Sequence, residues 1–210
     1  MTSNTASLIY IVDDDASILK AYRRLLESEG FAVKTFLSAM DYLAAEDPDL
    51  PGCLVLDVQM PQLNGIDLQA RLLSNLMPRP IVFISGKSDI PTSVKAMKYG
   101  AVDFLTKPIA RDELIAAVQH ALLKDASQRT RQAGADLCRN KFLSLTPRER
   151  QVFAHVVKGR LNKQIADDLR IAEKTVKIHR GRMMHKIGVR SVAELVRFAA
   201  QTGDTEIAET

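Results

Sequence analysis

Apolar residues in the first 125 positions fall into short runs separated by amphipathic stretches. The runs 8–12, 32–36, 53–56, 81–84 and 102–105 are rich in Val, Ile, Leu and Phe and predict β-strands. The stretches 16–28, 39–45, 66–76, 91–99 and 111–123 repeat their apolar residues at helical spacing. Leu-Ile-Tyr-Ile-Val and Ile-Val-Phe-Ile are apolar throughout rather than alternating, as parallel strands are when helices cover both faces. Gly30, Gly52, Gly65 and Gly100 punctuate element ends, and Ser38 and Asp89 stand where helix N-caps are needed. Five βα units in succession predict an α/β, doubly wound sheet.

The pattern changes after residue 124. Residues 125–143 are polar, interrupted by Gly134, and read as a linker that is helical in part. From Thr146 onward the period is helical and no strand signal appears. Thr146, Pro147 and Glu149 form a capping box that opens a helix. After a break at Gly159, short helices are expected at 162–169 and 173–187, joined by Arg170-Ile171-Ala172, and a last one at 192–200. The division predicted is therefore a domain at 6–124, the linker at 125–143, an all-α domain at 144–201 and a frayed tail at 202–210.

Composition narrows the class. The 210 residues are 46% hydrophobic and 26% charged, an ordinary globular balance that argues against a disordered or disulfide-scaffold chain. No apolar run is long enough to cross a bilayer, and the first residues have neither the basic nor the apolar segment of a signal peptide, so a cytoplasmic protein with no membrane partner is expected. Cys53 and Cys138 match no metal or redox spacing and read as buried or incidental thiols. Charge separates the two parts: residues 1–125 carry 12 Lys+Arg against 16 Asp+Glu, a net of −4, and residues 126–210 carry 17 against 9, a net of +8. An acidic half followed by a basic half suggests a metal- or phosphate-handling module joined to one that meets a polyanion.

Ligands of an open α/β sheet bind beyond the carboxyl ends of the strands. There the sequence sets Asp13-Asp14-Asp15 after the first strand, Asp57 after the third, Ser85 after the fourth and Lys107-Pro108 after the fifth. If strands one and three are neighbours, Asp13, Asp14 and Asp57 converge, and their mutual repulsion calls for a hard divalent cation, Mg²⁺ being the best candidate. Lys107 and Ser85 suit phosphoryl oxygens, Asp57 is the candidate nucleophile, and Asp15 reads as a helix cap. Gly86-Lys87-Ser88 imitates the end of a phosphate-binding loop, but Ile81 occupies the position of its first glycine.

Val12-Asp13-Asp14-Asp15, Leu56-Asp57-Val58-Gln59-Met60-Pro61, Ile84-Ser85-Gly86 and Phe104-Leu105-Thr106-Lys107-Pro108 resemble the flavodoxin-like receiver domain of two-component response regulators, over about residues 6–125. The resemblance implies that Asp57 accepts phosphate from a sensor histidine kinase, with Asp13 and Asp14 forming the acidic pocket. It implies that Asp14, Asp57 and the backbone carbonyl of Gln59 hold Mg²⁺, that Ser85 and Phe104 are the switch pair, and that Lys107 bonds the phosphate through a loop with a cis Lys107–Pro108 peptide. Such a domain is an enzyme only in promoting its own phosphorylation and slow dephosphorylation.

In the basic half, winding 173–187 as a helix turns Val176, Met183 and Ile187 inward and Lys174, Lys177, Ile178, Gly181, Arg182 and His185 outward, a basic face without an acid that suits DNA. Residues 145–199, with Leu-Thr-Pro-Arg-Glu-Arg-Gln-Val, Asn-Lys-Gln-Ile-Ala and Thr-Val-Lys-Ile-His-Arg, resemble the LuxR-type helix-turn-helix, and the whole chain is similar to FixJ/NarL-family transcriptional regulators. The resemblance implies DNA contacts from Lys163, Lys174, Thr175, Lys177, Ile178, Arg182 and His185. It also implies a homodimer formed on phosphorylation through Val192, Leu195 and Val196 of the last helix, with RNA polymerase as a further partner. Leu161 and Ala172 depart from the hydroxyl caps common in such domains, Asn162 offers a substitute for the first, and Arg180 lies nearer the core edge. Two other functions are open: a DNA-binding regulator indifferent to phosphate and controlled by oligomerisation or a protein partner, and an aspartate-dependent phosphohydrolase, which Gln59 and the lack of a cap domain disfavour.

Overall fold

The computed structural model describes residues 7–74, 79–86 and 90–201, so Asp89, Lys87, Ser88 and the expected tail at 202–210 lie outside the described residues. The chain divides into two compact units, Met1–Arg129 and Thr130–Thr210.

The first unit alternates strand and helix: β1 (Leu8–Val12), α1 (Ala16–Ser28), β2 (Ala32–Phe36), α2 (Ala39–Ala45), β3 (Gly52–Asp57), α3 (Gly65–Leu72), β4 (Ile81–Ser85), α4 (Ile90–Lys98), β5 (Asp103–Thr106) and α5 (Arg111–Leu143). The five strands are parallel in the order β2-β1-β3-β4-β5. Period-two alternation splits the central strands between two cores. Tyr10, Val12, Leu54, Leu56, Ile81 and Phe83 pack with Tyr42, Leu68, Leu72 and Ala96 on one face. Ile9, Ile11, Cys53, Val55, Val82 and Ile84 pack with Leu19, Leu26, Leu114 and Val118 on the other. Each large side chain so buried is worth about 1.5–3 kcal/mol, which is why the sheet centre is the most fixed part of the unit. Burial also pushes the Cys53 thiol up to about 12, so it is inert packing.

Caps act where the polar pattern places them. The Asp15 carboxylate accepts from the Ser17 and Ile18 N–H groups and opens α1, and the Ser38 hydroxyl accepts from Asp41 to open α2. α3 ends at Leu72 and passes into a turn in which the Ser74 hydroxyl donates to the Arg71 carbonyl at 2.6 Å; positions 75 and 76 of the expected helix lie outside the described residues.

The largest departure is α5, which is helical through all of 125–143. That segment has no proline and consists largely of Ala, Gln, Arg, Lys, Leu and Asp, and a single Gly134 costs a helix only about 1 kcal/mol. Asp125 and Arg129, expected to be linker residues, belong to the first unit. The Asp125 carboxylate accepts from the Gly52 N–H at 2.9 Å and from Arg129 at 2.9 Å. Arg129 also donates to the carbonyls of Pro48, Asp49 and Leu50. Arg79 takes the carbonyls of Asp47 and Leu50 from the other side and lies 4.4 Å from the Tyr10 ring centre. Two guanidinium groups thus satisfy the carbonyls of the loop that leads into β3.

The second unit comprises the end of α5 with α6 (Pro147–Val157), α7 (Asn162–Leu169), α8 (Glu173–Ile187) and α9 (Val192–Gln201). Its core joins Leu145, Val152, Phe153, Val156, Ile165, Val176, Met183, Ile187, Leu195 and Phe198. Phe153 makes edge contacts with Phe142 and Phe198. Arg170 turns the chain between α7 and α8 in a left-handed conformation, φ 53°.

Candidate functional site

The strand order makes β1 and β3 neighbours, and the register Val12↔Leu56 sets Asp13 beside Asp57 at the carboxyl edge. Both are buried, at 0% and 3% exposure, whereas Asp14 is exposed. β5 brings Lys107 to the same point through β4, its N–H donating to the Ser85 carbonyl at 2.8 Å. The Lys107 ammonium then donates to Asp13 Oδ2 at 2.6 Å and to Asp57 Oδ1 at 2.7 Å. The other Asp57 oxygen accepts from the Gln59 N–H at 2.6 Å, and Asp13 Oδ1 from the Asp15 N–H at 2.9 Å. The Lys107–Pro108 peptide is cis.

Electrostatically this pocket is poised. Burial raises the Asp57 carboxyl above its ordinary value, more than the hydrogen bonds from Lys107 and Gln59 lower it, and the charge of Asp13 adds to the rise. For Lys107 burial works downward, but hydrogen bonds to Asp13 and Asp57 prevail and raise it. The ammonium is firmly charged, and an ionised Asp57 still lacks full compensation. Hard oxygen donors with unmet negative charge fit a small divalent cation. Among the described residues no three His, Cys, Asp or Glu side chains cluster closely enough to hold a metal, so an ion here would need backbone carbonyl oxygens or water beside the carboxylates.

The loop carrying Gln59 has a fixed path. Gly65 donates to the Val58 carbonyl at 3.0 Å, and a Cβ at Gly65 would lie 2.3 Å from the Asp57 carbonyl oxygen. Ser85 is buried, and Phe104 is half-buried with its ring 6.1 Å from that of Phe83.

In the second unit, α7 and α8 are joined by three residues, and α8 turns Val176, Met183 and Ile187 into the core. Lys174, Lys177, Ile178, Gly181, Arg182 and His185 are exposed on its other side, Thr175 is half-buried, and Lys163 is exposed on α7.

Comparison with known proteins agrees with both halves. Residues 9–119 match the model of the response regulator receiver domain, and residues 143–199 that of the bacterial regulatory proteins of the luxR family. The chain belongs to the LuxR-type two-component response regulators. The regulator is 43% identical to response regulator protein TodT of Pseudomonas putida, over 97% of its own length and 89% of that protein. It is 39% identical to transcriptional regulatory protein FixJ of Bradyrhizobium diazoefficiens, over 95% and 97%. The solved structure of response regulator StyR shares 43% identity and a TM-score of 0.83, covering 93% of this chain and 99% of that one. The regulator is accordingly a DNA-binding transcription regulator with a flavodoxin-like receiver. Among its described residues no helix is long and apolar enough to cross a membrane.

Three expectations about its residues need correction. Leu195 is not available to a dimer: it is 0% exposed, enclosed in the core, whereas Val192 and Val196 on the same helix are 37% and 43% exposed. Asn162 does not cap α7, because its Oδ1 accepts from Arg180 at 2.8 Å; the Leu161 N–H donates instead to Gln164 Oε1 at 2.9 Å. The outer face of α8 is not free of acid, since Glu173 Oε1 lies 3.1 Å from Lys177 Nζ.

Residue patterns had also passed over Lys186. Its ammonium donates to the buried carboxylate of Glu149 at 2.7 Å, while Glu149 accepts from the Thr146 N–H at 2.9 Å. Burial favours raising Glu149, but Lys186 and Thr146 outweigh it and the carboxyl is lowered. The capping box signals Glu149, but no local pattern points from it to a lysine 37 residues away.

Proposed function

We propose that the regulator accepts a phosphoryl group on Asp57 from a sensor histidine kinase, and that this promotes dimerisation and sequence-specific DNA binding that controls transcription. The observation that carries the reading is the buried Asp57 carboxylate held by Lys107 and set against Asp13. A carboxylate oxygen of Asp57 attacks the phosphorus of phosphohistidine, the P–N bond breaks, and the imidazole nitrogen keeps the electron pair. Asp14, Asp57 and the Gln59 carbonyl would hold Mg²⁺, which would supply positive charge for the transferring oxygens. Lys107, already charged and directed at Asp57, exchanges a carboxylate oxygen for a phosphoryl oxygen. The Ser85 hydroxyl moves to donate to the phosphoryl group, and Phe104 follows into the space it leaves. The regulator's own chemistry is limited to this phosphorylation and its hydrolytic reversal.

In the second unit Lys177 and Ile178 reach base edges, and Lys163, Lys174, Thr175, Arg182 and His185 approach bases or phosphates. The exposed Val192 and Val196 supply the dimer contact. Cytoplasmic location and contact with RNA polymerase complete the reading.

The test is phosphoramidate or acetyl phosphate with Mg²⁺, followed by intact mass spectrometry and operator binding. A single phosphate adduct, absent from Asp57→Asn, with tighter operator binding and a dimer, is expected. Labelling that persists in Asp57→Asn overturns the site, and equal affinity with and without phosphate overturns the switch.

A further inference from the structure

A carboxylate on a DNA-facing helix needs a reason. α8 presents Lys174, Lys177, Arg182 and His185 outward, and Glu173 stands among them at its first turn, exposed. Its Oε1 is 3.1 Å from Lys177 Nζ, one helical turn on. An acid at a helix start can serve the open N–H groups, and α8 lacks a side-chain cap at Ala172. Glu173 is nevertheless directed along the helix to the lysine, and an exposed pair of this kind contributes little to stability. A duplex that met Lys177 would therefore meet the Glu173 carboxylate beside it.

Guanine offers acceptors in the major groove, at O6 and N7, and cytosine a donor, at N4. An ammonium and a carboxylate presented side by side match that pair of groups. Adenine also offers an amino group, but its N7 acceptor stands beside it and repels a carboxylate, whereas cytosine has no acceptor next to N4 in the groove.

We infer that Glu173 is a specificity-determining residue, accepting from the N4 amino group of a cytosine next to the guanine contacted by Lys177. The inference rests on α8 being the base-reading helix, as proposed above. Glu173 rejects unsuitable sequences as well as favouring the right one.

Binding-site selection from a randomised duplex pool, using the full chain treated with phosphoramidate and Mg²⁺, tests this. The wild type is expected to select cytosine at one position. Glu173→Gln should replace it with adenine, because a glutamine amide pairs with N6 and N7 of that base. Glu173→Ala should leave the position unselective, with about tenfold less discrimination there. It should also bind unrelated DNA more tightly with a steeper salt dependence. A helix-stabilising role alone would change affinity without changing the preferred base. Identical base preferences in the wild type and both Glu173 variants overturn the inference. Lys177→Ala separates the two levels: if it alters the selected site while the Glu173 variants do not, only Glu173 is misassigned. If Lys177→Ala leaves the selected site intact, the base-reading role of α8 fails and the inference falls with it.

Discussion

Lys107 donates to Asp57 Oδ1 at 2.7 Å across 50 residues of sequence. The same ammonium holds Asp13, so its removal leaves two buried carboxylates facing each other. Breaking a buried pair costs about 3–5 kcal/mol; with the lysine side chain 19% exposed, about 2–3 kcal/mol is expected for Lys107→Met. Urea unfolding checks this, and Mg²⁺ should recover part of the loss. An unchanged midpoint would show that the lysine contributes nothing in the resting state.

Asp57 should behave in the opposite sense. Its carboxyl is raised above the ordinary 3.8, so protons bind the folded state more tightly and the stability this adds at low pH is lost as pH rises through the folded value. At neutral pH the ionised group works against folding. Asp57→Asn is expected to melt higher than wild type in chelated buffer, because the neutral amide removes the charge that burial disfavours. Mg²⁺ should raise the wild type and leave the variant where it is. A lower melting temperature for Asp57→Asn would contradict the sign.

Asp125→Ala removes the acceptor of the Gly52 N–H and frees Arg129 from its carboxylate. Leaving a buried donor unsatisfied costs about 1–3 kcal/mol. Hydrogen exchange should show the Gly52 amide losing protection, and retained protection would assign the loop's order to Arg79 and Arg129 without the carboxylate.

Glu149 predicts acid sensitivity in the DNA-binding unit. Its folded-state value lies below the ordinary 4.5, so its contribution is complete at neutral pH and disappears as pH falls below about 4.5 through the folded value. Lys186→Met takes away the hydrogen bond and charge that lower it, and acid unfolding followed by circular dichroism should begin at higher pH. Coincident acid transitions in variant and wild type would dismiss the pair.

On DNA, Lys177→Ala should weaken specific binding by about 1–3 kcal/mol, whereas Lys163→Ala should weaken all sequences alike and shallow the salt dependence by about one unit. Titrations at several salt concentrations with specific and unrelated duplexes distinguish them. Equal losses on both duplexes for Lys177 would make it a phosphate contact.

The sheet and the acidic pocket were legible in the residues because both depend on local signals: uninterrupted apolar strands, and polar residues where those strands end. Asp13, Asp57, Ser85 and Lys107 needed only the rule that strand ends share an edge. What escaped was set by distance or by burial. Arg129 satisfies carbonyls 79–81 residues earlier, which no periodicity encodes, and so the compact unit runs past residue 124. Leu195 is as apolar as Val192 and Val196, and packing rather than pattern decides which residues of α9 face inward. Glu173 joins the basic face only through the direction of its side chain toward Lys177, which residue order alone does not set.

The contact between Gly65 and the Asp57 carbonyl constrains how this regulator can diverge. Any side chain at 65 would press on the Asp57–Val58 peptide, whereas a change of the Gln59 side chain leaves that peptide untouched. Variation in this loop is thus left to its side chains, on a track whose course one missing methyl group has already laid.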